Sequence, residues 1–510
     1  MKRLILIGDY VVEKAGARPV PDGAVVIENE RVVKIISATL ARNLYPDANF
    51  LGGPGNVVIP GLIDAHQHGR GVTSIQRGVA DDQLERWLTR LRGLWPMDIY
   101  LTTAIAAARL LRSGVTTAMH HFASTGVVPF EEELRASLQA YHDVGIRVTF
   151  TLDFRDQNSY VYAPDHEFLE RLPKVLARRF LEKLPPRNLP TPAEVFALLP
   201  QLRLDWPSAR IRFALGPQGP EWSSDASLGM ISDFSRAEAL PVHTHVLETR
   251  LQRDASFRNH GMSAVTRLSK LGLLKADTSL AHMVWASDSD LATVKGAGAI
   301  IVHNPASNLR LKSGIAPVLL MLRNRIPVAI GMDSMSISGQ SDFFQDLRLC
   351  QNLHFDDGGS ISTDDIWRMV YEGGGQATFW GEEIGRLCGG AWGDAVIMRL
   401  SRDALVQPVD SRWHVLQRLL HEGGPGSIKA VVVGGQVVME DGINKSIDEV
   451  SLVDKMLAYA ANVKSEEIEE RRAVVGQLEA AVEDFYRDWR PDGDTERRRG
   501  QATLHGRSSE

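Results

Sequence analysis

From residue 57 onward, short, near-continuously apolar runs alternate with helix-length segments. The runs that read as strands are 57–65, 115–121, 146–153, 211–216, 241–247, 279–284, 299–303 and 327–332. Unbroken apolar character over so few residues is the mark of a strand buried on both faces, as in a parallel sheet covered by helices. Eight such units predict an α/β fold with a closed (β/α)8 barrel over 59–384, although the count alone also fits a doubly wound sheet.

The two ends have another texture. Residues 1–58 contain LILIG and then GAVVIENERVVKII, two alternating runs about an ENE turn. Strand texture returns over 385–445, as GDAVIMRL and as KAVVVGGQVVMEDG with a glycine pair at the turn. Residues 446–490 are charged with helical spacing, and the composition of 491–510 predicts a disordered tail. Almost sixty residues separate the third and fourth strands. The insertion they hold, about 156–205, carries its own helices and follows a strand, where barrel active sites lie. A lid is the preferred expectation, and a subunit contact in a homo-oligomer the alternative.

Composition narrows the function. A chain of 510 residues with 44% hydrophobic and 24% charged positions has the make-up of a soluble enzyme. A net charge of −6 and the lack of a basic stripe argue against nucleic acid as a partner. The five-residue apolar run before Asp9 is too short for a signal peptide, and no later run is long enough for a membrane span. Two cysteines, Cys350 and Cys388, exclude a disulfide framework and suit a reducing cytoplasm. A small-molecule substrate is the expected partner.

Histidines gather at the strand ends. PGLIDAHQHG ends the first strand in His66 and His68, whose i, i+2 spacing puts both on one face. His243 and His245 lie in the fifth strand, His282 in the sixth, His303 in the seventh, and Asp333 ends the eighth. Barrel enzymes assemble their chemistry from the C-terminal ends of several strands, so these residues are expected to converge on one mouth. Three imidazoles and a carboxylate suit one divalent ion, Zn2+ or Fe2+. Glu248, three residues after His245, can overhang that ion as a general acid or base without binding it. Either His243 or His245 could be the fifth-strand ligand. The His-x-x-Glu spacing favours His245 and leaves His243 to line the substrate pocket.

PGLIDAHQH, HTHVLET, LAHMVW, HNPASNLRLKSGIAPV and IGMDS, taken in order, resemble the strand-end motifs of the amidohydrolase superfamily. The resemblance is to its mononuclear-metal branch, with cytosine, guanine and S-adenosylhomocysteine deaminases and the triazine chlorohydrolases. IQRGVADDQLERWLTRLRGLWP is similar to the segment after the HxH motif in the chlorohydrolase and homocysteine-deaminase group. The resemblance implies a (β/α)8 barrel flanked by a small β-sandwich from residues 1–58 and about 385–440. It also implies His66, His68, His245 and Asp333 as metal ligands, with Glu248, His282 and Asp333 catalytic. Candidate substrate contacts are His243, Gln218, Trp222 and His303. No lysine follows the fourth strand, GPQGPEWSSD, to bridge two metals, which argues for one. Gln218 stands where relatives often have histidine, and MDSMSIS replaces the commoner TDG, so no relative's substrate transfers directly.

The implied reaction is hydrolysis, most simply deamination of a small heteroaromatic amine or cyclic amidine. An amide, urea or carbon–halogen bond is the alternative target at the same site, and a non-catalytic metal-binding relative is the third reading. The zinc deaminases with a P-C-x-x-C signature are excluded, because the chain has no CxxC.

Overall fold

The computed structural model describes residues 3–206, 209–399, 412–463 and 465–489, so the expected tail at 491–510 lies outside the described residues. The N-terminal part forms β1 (Arg3–Val11), β2 (Val20–Glu28), β3 (Arg31–Ser37) and β4 (Asn49–Pro60). The two faces of β1 explain its unbroken apolar character. Leu4 and Leu6 pack into one cluster, whereas Ile5 and Ile7 pack into another with Ala38 and Ala41 of the helix Ala38–Leu44.

The next eight strands are β5 (Leu62–Gln67), β6 (Val115–His120), β7 (Arg147–Phe154), β8 (Ile211–Pro217), β9 (Val242–Val246), β10 (Thr278–His282), β11 (Ile300–His303) and β12 (Val328–Ile330). They pair side by side in chain order and in parallel. The sheet curls until its edges meet. The Asp333 N–H, just past β12, donates to the His66 carbonyl on β5 at 2.7 Å, and the Met332 N–H donates to Asp64 Oδ1 at 2.9 Å. This is the expected α/β barrel.

One boundary differs from the sequence reading. The run 57–65 is not one strand: β4 ends at Pro60 in the flanking sheet, and β5 begins at Leu62 in the barrel. Gly61 makes the crossing, and a Cβ there would lie 1.9 Å from Thr116 Oγ1. Val57 and Ile59 before the crossing and Leu62 after it share one core, so hydrophobicity alone carries no mark of the change.

After a short hairpin, β13 (Phe355–Asp356) and β14 (Gly359–Ser360), come β15 (Ala395–Arg399), β16 (Ile428–Val433), β17 (Gln436–Glu440) and β18 (Ile443–Asn444). The order β18-β17-β16-β15-β4-β1-β2-β3 joins both parts of the chain in one eight-stranded sheet. Gly434 and Gly435 (φ +54° and +68°) make the two-residue turn between β16 and β17, a left-handed pair that L side chains adopt with strain. The barrel is pinned to this sheet by a buried bidentate pair, Arg147 Nε to Asp394 Oδ2 at 2.8 Å and Nη2 to Oδ1 at 3.0 Å. Its guanidinium lies against the rings of Trp380 and Trp392.

The insertion after β7 carries helices Asp165–Glu170, Lys174–Lys183 and Pro192–Asp205. Tyr160, Tyr162, Phe168, Phe180 and Leu184 share an apolar cluster with Val474, Leu478, Val482 and Phe485 of the long helix Ser465–Arg487. Glu479 of that helix also holds Arg86 (2.9 Å) and Arg90 (2.7 Å), on the helix that follows the HxH motif. The charged C-terminal segment thus straps the insertion to the barrel, a role its helical spacing did not reveal.

Candidate active site

β5 ends in Asp64-Ala-His-Gln with His68 just beyond it, and the alternation turns His66 and His68 toward the barrel mouth. β9 sends His245 there, β10 sends His282, and Asp333 follows β12. The backbone turns left-handed at several of these strand ends: φ is +51° at Leu247, +77° at His282, +47° at Met283 and +53° at Asp333. Such angles at non-glycine residues store strain and recur at functional sites.

Hydrogen bonds fix which ring nitrogen each imidazole turns inward. His68 Nδ1 donates to the His121 carbonyl at 2.8 Å, and His245 Nδ1 donates to the Gln218 carbonyl at 2.6 Å. His66 Nδ1 is 2.7 Å from His243 Nε2, whose other ring nitrogen bonds the Ser279 hydroxyl. His68 and His245 Nε2 therefore carry their lone pairs into the site, and His66 does so when its Nδ1 donates to His243. His68 Nε2 lies 3.2 Å from His245 Nε2 and 3.1 Å from Asp333 Oδ1, and His66 Nε2 lies 3.4 Å from the same oxygen. Ligands about 2.0–2.1 Å from a tetrahedral zinc stand about 3.3 Å from one another, so each of these three distances matches that between neighbouring ligands, and His66, His68 and Asp333 gather as one group that could hold an ion. His66 Nε2 and Asp333 Oδ1 are buried without a hydrogen-bond partner. Burial lowers the imidazole pKa at His66, to about 3, and lowers His68 and His245 as well. Neutral imidazoles need lose no proton to bind a metal. Burial would raise the Asp333 carboxyl, but the His66 and His68 rings set against its oxygen outweigh it and hold the group well below the usual range. The donor set fits a divalent ion.

Two further groups face the same space, and His282 also gathers with His66 and His245. His282 Nδ1 donates to Asn308 Oδ1 at 2.8 Å, which leaves Nε2 3.8 Å from Glu248 Oε2 and 4.0 Å from Asp333 Oδ2. Glu248 Oε1 accepts from the Ser313 hydroxyl at 3.4 Å. Burial pushes the Glu248 carboxyl up to about 7, against the opposing charge of His282. It is poised to hold a proton near neutrality.

His68, His245, Glu248, His282 and Asp333 line one cavity of about 990 Å3, with Gln218 and Trp222 on its wall. The other two expected substrate contacts lie elsewhere. His243 stands behind His66, fully buried against Ser279, and does not reach the cavity. His303 faces the outer helices, 3.0 Å from His354 and beside Cys350. Adjacent residues of a strand point to opposite sides, so Val302 takes the barrel interior and His303 the helix layer. Sequence reading also missed His121 at the end of β6, whose ring nitrogen comes within 4.8 Å of ligand atoms of His68 and His245. The signal was the dipeptide His120-His121 closing the second strand.

A model of the amidohydrolase family matches residues 57–438. A 5-methylthioadenosine/S-adenosylhomocysteine deaminase of Pyrococcus abyssi is 28% identical over 468 residues, 89% of this chain and 96% of that protein. A 5′-deoxyadenosine deaminase of Methanosarcina mazei is 26% identical, over 89% of this chain and 97% of the other. Among solved structures, atrazine chlorohydrolase of Arthrobacter aurescens, complexed with zinc, superposes with a TM-score of 0.75. It is 22% identical and covers 89% of this chain and 99% of its own.

Proposed function

Because the chain belongs to the amidohydrolase family, we propose that it is a metal-dependent deaminase of a small heteroaromatic amine. The observation that carries this reading is the convergence of three imidazole Nε2 atoms and Asp333 Oδ1 beneath a Glu248 carboxyl whose pKa burial lifts to about 7. His66, His68, His245 and Asp333 would hold one divalent ion, Zn2+ by analogy with the chlorohydrolase complex or Fe2+ by ligand type. When bound, such an ion lowers the pKa of water from 15.7 to about 7.

The remaining work falls to side chains. Asp333 Oδ2, held by the Ser307 hydroxyl, takes the proton of the attacking water. His282 Nε2, between Asp333 and Glu248, steadies the charge that develops as that water adds to the ring. Glu248 delivers a proton to a ring nitrogen, which makes the adjacent carbon electrophilic. Collapse of the tetrahedral carbon then releases ammonia, with the amine taking up the proton first received by Asp333 and the hydroxyl proton returning to Glu248. Gln218 and Trp222 border the ring, and segment 156–205 closes over the mouth to exclude water. The relatives named for adenosine-type substrates favour a purine-like ring.

An ammonia-release screen over aminopurine, aminopyrimidine and triazine substrates tests the proposal on Zn2+-loaded protein. Ammonia in stoichiometry with the deaminated product supports it. Halide or amide cleavage without deamination moves the enzyme to the other hydrolase class.

A further inference from the structure

The turn that carries Glu248 has to be held in place. Leu247, one residue earlier, is left-handed (φ +51°) despite its bulky side chain, and such a conformation persists only where its surroundings enforce it. Part of the hold is local. Thr249 caps the helix Arg250–His260, its hydroxyl accepting from the Gln252 N–H at 3.2 Å. Gln252 Oε1 reaches back to accept from the Glu248 N–H at 2.7 Å.

The rest of the hold comes from the insertion. The buried Tyr162 hydroxyl accepts from Gln252 Nε2 at 3.4 Å and donates to Glu85 Oε1 at 3.2 Å. The same Glu85 oxygen accepts from the Thr249 hydroxyl at 2.5 Å. Both groups that grip the Glu248 turn are therefore tied to one phenol, Gln252 directly and Thr249 through Glu85. Tyr162 is itself fixed at its backbone: its N–H donates to the Tyr486 hydroxyl of the C-terminal helix at 2.7 Å, and its carbonyl accepts from Asn259 Nδ2 at 3.0 Å. For packing alone a phenylalanine would serve, as Phe168 and Phe180 do in the same cluster. The hydroxyl is what needs a reason, because a buried polar group is costly unless its bonds are made. Both of its bonds lead to the Glu248 turn.

We propose that Tyr162 is a positioning residue for the proton donor: by clamping Glu85 and Gln252 it fixes the turn that presents Glu248 to the substrate. The work given to Glu248 rests on the deaminase reading, whereas the clamp rests on the hydrogen bonds alone. The insertion and the C-terminal helix then complete the active site from outside the barrel. A proton donor must come within about 2.6–3.2 Å of the atom it protonates, and a misplacement of about 1 Å can cost ~10²-fold in rate.

Amide hydrogen exchange on the Zn2+-loaded full chain reads the clamp without turnover. Tyr162→Phe keeps the ring and its packing, and exchange at the Glu248 amide should rise at least ~10-fold with zinc content retained. Unchanged exchange overturns the proposal. The kinetic arm uses whichever aminopurine, aminopyrimidine or triazine the parent deaminates fastest. Tyr162→Phe should lower kcat at least ~10-fold with KM within ~2-fold of the parent. Gln252→Met, which keeps the length of the side chain and loses both bonds, should do the same. Added to Glu248→Gln, Tyr162→Phe should change the residual kcat by less than ~2-fold, because a residue that acts through Glu248 then has nothing left to position. An undiminished loss in that background, or a loss confined to KM, makes Tyr162 a substrate contact or plain packing and overturns the proposal. Faster exchange in Tyr162→Phe with no ammonia from any compound leaves the clamp standing and removes the deaminase reading.

Discussion

His243→Ala separates the ligand of the fifth strand from its supporter. His66 can offer Nε2 to a metal only as the tautomer protonated at Nδ1, and that proton is held by His243 Nε2 at 2.7 Å. His243 in turn is oriented by Ser279. Truncation to alanine leaves the His66 Nδ1–H buried and unsatisfied, at a cost of about 1–3 kcal/mol. That corresponds to a metal affinity roughly 10–100-fold weaker, the usual worth of an outer hydrogen-bond partner of a ligating histidine. The substitution does not touch the donor set, so the variant still binds one ion at high metal concentration. His245→Ala removes Nε2 from the shell, 3.2 Å from His68 Nε2, and should lose the ion even then. The assay is competition against a chromophoric chelator, followed by elemental analysis after gel filtration. The reasoning fails if His243→Ala is the variant that cannot be loaded while His245→Ala retains a full equivalent.

Three other expectations follow from the same geometry. Glu248→Gln keeps the shape and the metal but cannot deliver a proton, so steady-state turnover should fall at least ~10²-fold at unchanged zinc content; an active Glu248→Gln would remove Glu248 from the mechanism. Glu221 is buried with both oxygens unpartnered, and its carboxyl is raised from 4.5 to about 8. Its folded form holds a proton that the unfolded chain releases, so stability is full below pH 4.5 and declines as pH rises toward 8, by roughly 3 kcal/mol at pH 7. Glu221→Gln should therefore raise Tm at pH 7 far more than at pH 5, and an equal shift at both would contradict the assignment. Asp394→Ala strips the partner from the fully buried Arg147 and should cost about 3–5 kcal/mol in chemical denaturation; a loss below about 1 kcal/mol would show that the pair does not pin the barrel to the sheet.

What the sequence disclosed follows from which physical signals are local. Each barrel strand announces itself because a parallel strand between helices is apolar on both sides, as at Ile300–His303 and Val328–Ile330. The candidate metal donors were legible because His66, His68, His245 and Asp333 all sit where a strand stops. Side-chain direction was less legible. His303 and Val302 share an apolar run, and only the barrel's curvature decides which of them faces inward. His243 and His245 share a face, but His243 lies one layer deeper, behind His66. Long-range packing left no local trace at all: the helix Ser465–Arg487 reads as a charged surface helix, while its Val474, Leu478 and Phe485 stripe grips the insertion.

The central claim, that one ion at the strand ends drives deamination, is tested most directly by titrating metal-stripped protein with Zn2+ while following ammonia release from the best substrate. Three imidazoles and one carboxylate linked by contacts of 3.1, 3.2 and 3.4 Å predict a rate that rises linearly and breaks at one equivalent per chain. A break at two equivalents, or full activity before any zinc is added, would contradict the account.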